Sequence, residues 1–192
     1  YIIMYKHEEI SSLIYNKISS KKDILIKEWN NPKETNTKHL ILDNLLPDNL
    51  CIDIYNSFPK DLSSFYERNS FRERKKTSAN MSLYNKNLND ALYAFQEEKV
   101  IKIISEITNI MNLEADRKLY AGGISVMEKG DFLNPHIDNS HDIKRLKYRR
   151  LNLLYYVTPK WKMKNGGNFE LWDKKVKLPK TIISNFNRLV IM

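Results

Sequence analysis

His136 and Asp138 stand two residues apart in the stretch Gly130-Asp131-Phe132-Leu133-Asn134-Pro135-His136-Ile137-Asp138-Asn139-Ser140. In extended backbone, residues i and i+2 point to the same face. An imidazole nitrogen and a carboxylate oxygen would then converge on one point. Those are two of the three donors of a facial 2-His-1-carboxylate iron site, whose open positions suit a cosubstrate and O2. Taken alone the tripeptide is weak, because a surface histidine beside a turn aspartate has the same pattern. Its surroundings add to it. In Leu151–Val157, Asn152, Leu154 and Tyr156 share one face of a strand, and Leu151, Leu153, Tyr155 and Val157 share the other. Gly166-Gly167 then makes a tight turn into Asn168-Phe169-Glu170-Leu171-Trp172.

The remaining donors are few. The four histidines are His7, His39, His136 and His141. His141 is three residues from Asp138 in a loop-like stretch, and a local cluster of that kind would not give the facial arrangement. His7 and His39 fall outside the strand-rich region and read as structural or surface residues. The single cysteine, Cys51, rules out an internal disulfide framework and a cysteine-rich zinc site. It sits among apolar neighbours and is expected to be buried and inert.

Helices come first in the chain. Ile10, Leu13, Ile14, Ile18, Ile24, Leu25 and Trp29 follow helical spacing over 7–29, with a break near 19–23 and a stop at Asn30-Asn31-Pro32. His39–Leu42 is a short strand candidate. Pro47-Asp48 opens a helix to about 57, with Leu50, Ile54 and Tyr55 on one side. Residues 58–87 read as a long polar connection, of a length that tends to be functional or mobile. A helix follows over 89–95. A stronger one runs from Glu97 to Met111, striped by Val100, Ile103, Ile104, Ile107 and Met111. From Lys118 the period shortens to that of strands: 119–127, 151–157, 168–172 and 189–192. The expected class is α+β, with a helical region over 1–117 and a β-core over 118–192.

The 192 residues carry 32 Lys and Arg against 23 Asp and Glu, a net charge of +9. Hydrophobic residues at 42% and charged residues at 29% describe a globular chain. No apolar run approaches the roughly 18 residues of a membrane span, and the segment 1–4 is too short for the apolar core of a signal peptide. A cytoplasmic location is the default expectation. The basic runs Arg72–Lys76 and Lys144–Arg150 match no nucleic-acid motif, so nucleic acid is not an expected partner. The first could serve as a lid over a site mouth, and the second could receive an acidic substrate, though such runs are more often solvated hairpins.

The region from Leu119 to Met192 resembles the Fe(II)/2-oxoglutarate-dependent oxygenase superfamily, in its prolyl-4-hydroxylase-like branch. The matching pieces are Ala121-Gly122-Gly123, the stretch 129–139 containing His136-Ile137-Asp138, Arg150-Leu151-Asn152-Leu153-Leu154-Tyr155-Tyr156-Val157, Trp161, 165–173, and Asn187-Arg188-Leu189-Val190-Ile191. They occur in the family's order. The resemblance implies a double-stranded β-helix, a jelly roll related to the cupins, with the N-terminal helices packed against one sheet. It implies Fe(II), with 2-oxoglutarate and O2 as cosubstrates, ascorbate as an activator, and succinate and CO2 as co-products. It makes His136 and Asp138 metal ligands, and Tyr156 a contact of 2-oxoglutarate, with Asn152 lining the same pocket. An Asp at 138, where halogenating relatives leave room for chloride, implies hydroxylation. The substrate would be a prolyl or other peptide side chain, or an amino-acid-like small molecule. The family also has a distal histidine some 50 to 60 residues after the Asp, and an Arg or Lys about ten residues further on. No histidine follows His141. The distal ligand and the last strand or strands of the core are therefore expected beyond Met192. The alternative is a jelly-roll binding module without a full iron site. Oligomeric state is not legible in the sequence.

Overall fold

The computed structural model describes residues 5–120, 122–173 and 178–192. The apolar segment 1–4 and Ala121 of the Ala-Gly-Gly piece lie outside the described residues. The long N-terminal helix is two helices, α1 (His7–Ser19) and α2 (Lys22–Asn30). Ile10, Ile14 and Ile18 of α1 repeat at i, i+4 and i+8 and are all buried, which is the stripe that holds the helix to the core. Further along come α3 (Asp48–Asn56), α4 (Lys86–Ala94) and α5 (Glu98–Thr108). Val100, Ile103, Ile104 and Ile107 form the buried face of α5. Three expected core positions lie outside it. Met111 is exposed because Asn109, in a left-handed conformation (φ 53°), ends α5 before the stripe reaches it. Tyr55 is exposed because the buried face of α3 is Leu50, Cys51 and Ile54. Ile24 projects from the outer side of α2, whose buried residues are Leu25 and Trp29.

The strands are β1 (Leu40–Asp43), β2 (Tyr66–Asn69), β3 (Glu73–Ser78), β4 (Ile124–Val126), β5 (Phe132–Leu133), β6 (Leu153–Tyr156), β7 (Phe169–Leu171), β8 (Lys180–Ile182) and β9 (Arg188–Ile191). The first sheet has the order β1-β9-β6, all antiparallel. The second is β2-β3-β4, with β5 also paired to β3. A ribbon of β7 and β8 stands apart in pairing. Strands from both sides of residue 118 meet in both sheets, since β1 pairs with β9 and β3 pairs with β4 and β5. The long connection over 58–87 is thus not a loop. It contains the β2–β3 hairpin and a short 3-10 turn at Met81–Leu83.

The first sheet separates two apolar layers. On one face Leu40, Leu42, Leu189, Ile191, Leu153 and Tyr155 pack against the helices. On the other, Ile41, Val190, Leu154 and Tyr156 pack against Leu171 and Ile182 of the ribbon. The alternation along β6 is the one its sequence indicates: Leu153 and Tyr155 toward the helices, Leu154 and Tyr156 toward the ribbon. Helices on one face of a sheet agree with the expected α+β layout. A closed jelly roll is an implication of family resemblance rather than of these three sheets. No helix among the described residues is long and apolar enough to cross a membrane.

Asn187 joins the helical and sheet parts. It is fully buried, with φ 62°, a conformation asparagine tolerates better than most residues. Its Oδ1 accepts from the Leu46 amide (3.0 Å) and the Tyr155 hydroxyl (2.8 Å), and its Nδ2 donates to the Leu46 carbonyl (2.6 Å) and Asp48 (3.1 Å). Cys51 is fully buried beside Tyr155 and Asn187, and burial pushes its thiol pKa up to about 11. It stays protonated and inert, as expected.

Candidate metal centre

The site begins at a turn. Glu128–Asp131 reverses the chain after β4: the Asp131 amide donates to the Glu128 carbonyl (3.0 Å), and the Glu128 amide donates to the Asp131 carboxylate (2.8 Å). Gly130 takes φ 91°, a backbone conformation that favours glycine. The chain leaves the turn as β5 and runs into Asn134, Pro135 and His136.

Asn134 is tied down on both sides of its peptide. Its amide donates to the Arg72 carbonyl and its Nδ2 to the Phe71 carbonyl, each at 2.8 Å. Its own carbonyl faces His136 Nδ1 at 2.8 Å. His136 Nε2 then lies 3.0 Å from Asp138 Oδ1. The convergence expected from the i, i+2 spacing is present. It occurs on an open surface: the His136 and Asp138 side chains remain 20% and 35% exposed, so solutes can reach them. Asp138 Oδ2 accepts from Asn152 Nδ2 (3.1 Å) and lies 3.5 Å from Arg149 Nη1. Both carboxylate oxygens thus have fixed directions.

This donor set fits a divalent ion. A carbonyl at Nδ1 selects the tautomer with its proton there, which points the Nε2 lone pair at a carboxylate oxygen. Two electron-rich atoms face to face need a cation or a proton between them. Two ligands at right angles on a small divalent ion, each about 2.1 Å from it, stand about 3.0 Å apart, which is the spacing seen. Among the described residues no group of three His, Cys, Asp or Glu side chains gathers to hold a metal.

The other expected site residues are placed differently. Asn152 stands against Asp138, and its backbone extends the β6–β9 pairing through two hydrogen bonds to Met192 (2.8 and 3.1 Å). Tyr156 is four residues along the same strand face, about 13 Å away at the rise of extended chain. Burial pushes its phenol pKa up to about 12, while Ser184 and Arg188 act in the opposite sense. Ser184 donates its own hydroxyl proton to the Gly167 carbonyl (2.8 Å). His141 is turned away from the pair, its ring against Tyr148 (centroids 4.3 Å apart) and its Nδ1 at Ser140 (2.7 Å). His141 pairs with Tyr148 in an isolated bridge, and Lys144–Arg150 belong to this exposed hairpin. His7 lies at Glu97 and His39 at the Thr37 carbonyl, both remote in the fold.

The basic run Arg72–Lys76 begins in the hairpin turn and continues into β3, where three of its cations are paired: Arg74 with Asp131 (3.3 Å), Lys75 with Glu73 (3.0 Å) and Lys76 with Glu128 (2.5 Å). Asn134 is the site residue that the sequence did not single out, and Arg149, expected at most to receive an acidic substrate, stands instead at Asp138. The only signal for Asn134 is its place two residues before His136.

Residues 122–192, a little over a third of the chain, match the family model of the 2OG-Fe(II) oxygenase superfamily. No curated protein matches the chain. The matched region holds His136, Asp138 and Asn152. Over residues 122–192 the chain is similar to the 2OG-Fe(II) oxygenase superfamily, a likeness that implies a 2OG- and Fe(II)-dependent oxygenase.

Proposed function

We propose that the protein hydroxylates a prolyl or other peptide side chain, or an amino-acid-like small molecule, in the manner of the prolyl-4-hydroxylase-like branch. The observation that carries the site is the 3.0 Å approach of His136 Nε2 to Asp138 Oδ1, with Nδ1 held by the Asn134 carbonyl. His136 and Asp138 would hold Fe(II). The metal with 2-oxoglutarate and O2 supplies the oxidising chemistry: one oxygen atom enters a substrate C–H bond, the other enters succinate, and CO2 leaves.

The chain's own residues bind and orient. Asn134 fixes which imidazole nitrogen is offered. Asn152 and Arg149 hold Asp138 Oδ2, so the carboxylate presents Oδ1. Asn152 is the polar residue beside the donors on the ribbon-facing side of β6, and it is the nearer candidate for a contact with 2-oxoglutarate. Tyr156 is the farther one. This reading further requires a third donor to complete the facial set and a cation for the far carboxylate of 2-oxoglutarate. Ascorbate is the expected activator, because it returns oxidised iron to Fe(II).

The test is a succinate assay on the full polypeptide with Fe(II), 2-oxoglutarate, ascorbate and O2. The wild-type protein should form succinate slowly even without substrate, and His136→Ala and Asp138→Ala should fall to background. Equal succinate from all three proteins would remove His136 and Asp138 from the site. Proline-containing peptides and free amino acids, each scored by mass spectrometry for one added oxygen, then separate the substrate classes.

A further inference from the structure

We propose that the β2–β3 hairpin is the positioning element of the metal centre, and that Asn134 is the residue through which it acts. This inference rests on the proposed role of His136 as an iron ligand. The hairpin meets the segment before His136 along its whole length. Lys76 pairs with Glu128 at 2.5 Å. Arg74 donates to the Gly130 carbonyl, pairs with Asp131 and lies over the Phe132 ring at 5.8 Å. Strand β5 pairs with β3 through Glu73–Leu133 and Arg74–Phe132. The hairpin turn supplies the carbonyls of Phe71 and Arg72 to Asn134. Residues 128–134 are therefore gripped in sequence by one strand and its turn.

The grip ends two residues before His136, which is why Asn134 matters more than its neighbours. It spends both its donors, the amide and Nδ2, on the hairpin turn. Its acceptor, the carbonyl, faces the His136 ring. Fixing the peptide plane at Asn134 fixes the direction of that carbonyl, and the carbonyl fixes the rotation of the imidazole. Ligands so oriented bind without first losing the freedom of a loose side chain, and loss of such a partner typically lowers metal affinity by roughly 10- to 100-fold. Arg74 and Lys76 are spent on the same grip, so the hairpin's charge serves the scaffold rather than an anionic ligand.

The test uses Co(II) alone as probe, on the full polypeptide, with binding followed by its visible absorption. Wild-type protein should bind, and His136→Ala should not. Asn134→Ala should weaken binding by roughly 10-fold or more. Asn134→Asp keeps the side-chain volume but turns an acceptor toward the Phe71 carbonyl, and it should weaken binding at least as much. Asn134→Ser, whose hydroxyl can still donate, should recover part of the loss. All titrations run well below each variant's unfolding midpoint, so only folded protein is compared. A second readout separates positioning from mere stability. In Co(II)-bound wild type the Nδ1 proton of His136 should appear as a slowly exchanging, hyperfine-shifted resonance, and in Asn134→Ala it should exchange rapidly. Unchanged affinity and unchanged exchange in folded Asn134→Ala and Asn134→Asp would overturn the inference while leaving His136 as a ligand. Equal Co(II) binding by wild type and His136→Ala would instead remove the ligand role on which it rests.

Discussion

Single residues at the junctions of this fold carry more than their size suggests. Asn187 is buried in a left-handed conformation and satisfies polar groups from two separate segments, Leu46–Asp48 and β6. Replacing it by Ala would strand the Leu46 amide and carbonyl away from water and place a Cβ-bearing residue without local compensation at positive φ. We expect Asn187→Ala to cost on the order of 3 kcal/mol, read as a fall of roughly 10 °C in the thermal midpoint. A change of less than about 1 °C would mean that water takes over its partners. Asp142 makes a smaller, pH-dependent contribution. Its carboxylate accepts the amides of Leu146 (2.7 Å) and Lys147 (2.9 Å) at the tip of the 141–148 hairpin. Those amides, Lys147 first, hold its pKa below the usual aspartate value. A depressed folded-state pKa contributes order that is present above the unfolded value, near 4, and lost as pH falls through the folded one. Amide resonances of Leu146 and Lys147 should therefore shift together on acidification below pH about 4. They should be insensitive to that step in Asp142→Asn.

Between elements, the decisive contacts are close approaches of backbone. Gly123 precedes β4 with φ 103°, and a Cβ there would sit 2.2 Å from the Ser78 carbonyl at the end of β3. No side chain fits without moving one strand off the other. Gly123→Ala should part β3 from β4 and raise hydrogen exchange at Ser78 and Ile124, whose registered pair lies beside it. Protection equal to wild type there would show that the strands adjust around the methyl group. Helix packing is less exacting. Ile14 on α1 is buried completely, and Ile14→Ala should cost about 3 kcal/mol, within the usual 2–5 range for such a truncation. Chemical denaturation should show it as a lower midpoint with an unchanged slope.

Over the whole molecule, the excess of nine positive charges is not gathered into one field. Arg68, Arg74, Lys75 and Lys76 each stand within 4 Å of a carboxylate, which offsets much of the charge of the densest basic run. Attraction to a polyanion should then be weak and steeply salt-dependent. Retention of a random duplex should vanish near about 0.15 M salt, where the screening length is about 8 Å. Tight binding that persists there would point to a nucleic-acid substrate instead.

The helices were legible in the sequence because burial imposes a period on them. Ile10, Ile14 and Ile18 on α1, and Val100, Ile103, Ile104 and Ile107 on α5, announce both the element and its inner face. Strand β6 was legible for the same reason, its two faces meeting two different apolar layers. So was the convergence of His136 and Asp138, since a two-residue spacing in extended chain leaves little choice. The β2–β3 hairpin was not legible. Every residue of β2 is exposed and β3 is mostly Arg, Lys and Thr, so no alternation of apolar and polar marks it. What makes it a hairpin is pairing with β4 and β5, some fifty residues later in the chain. The same holds for the orientation of the metal pair. Local spacing brings the donors to one side, but the direction of the imidazole depends on the carbonyls of Phe71 and Arg72, which reach Asn134 only once the sheet has formed. Periodicity records what a segment buries against its own core, whereas hydrogen bonds between distant backbones leave no pattern in either partner.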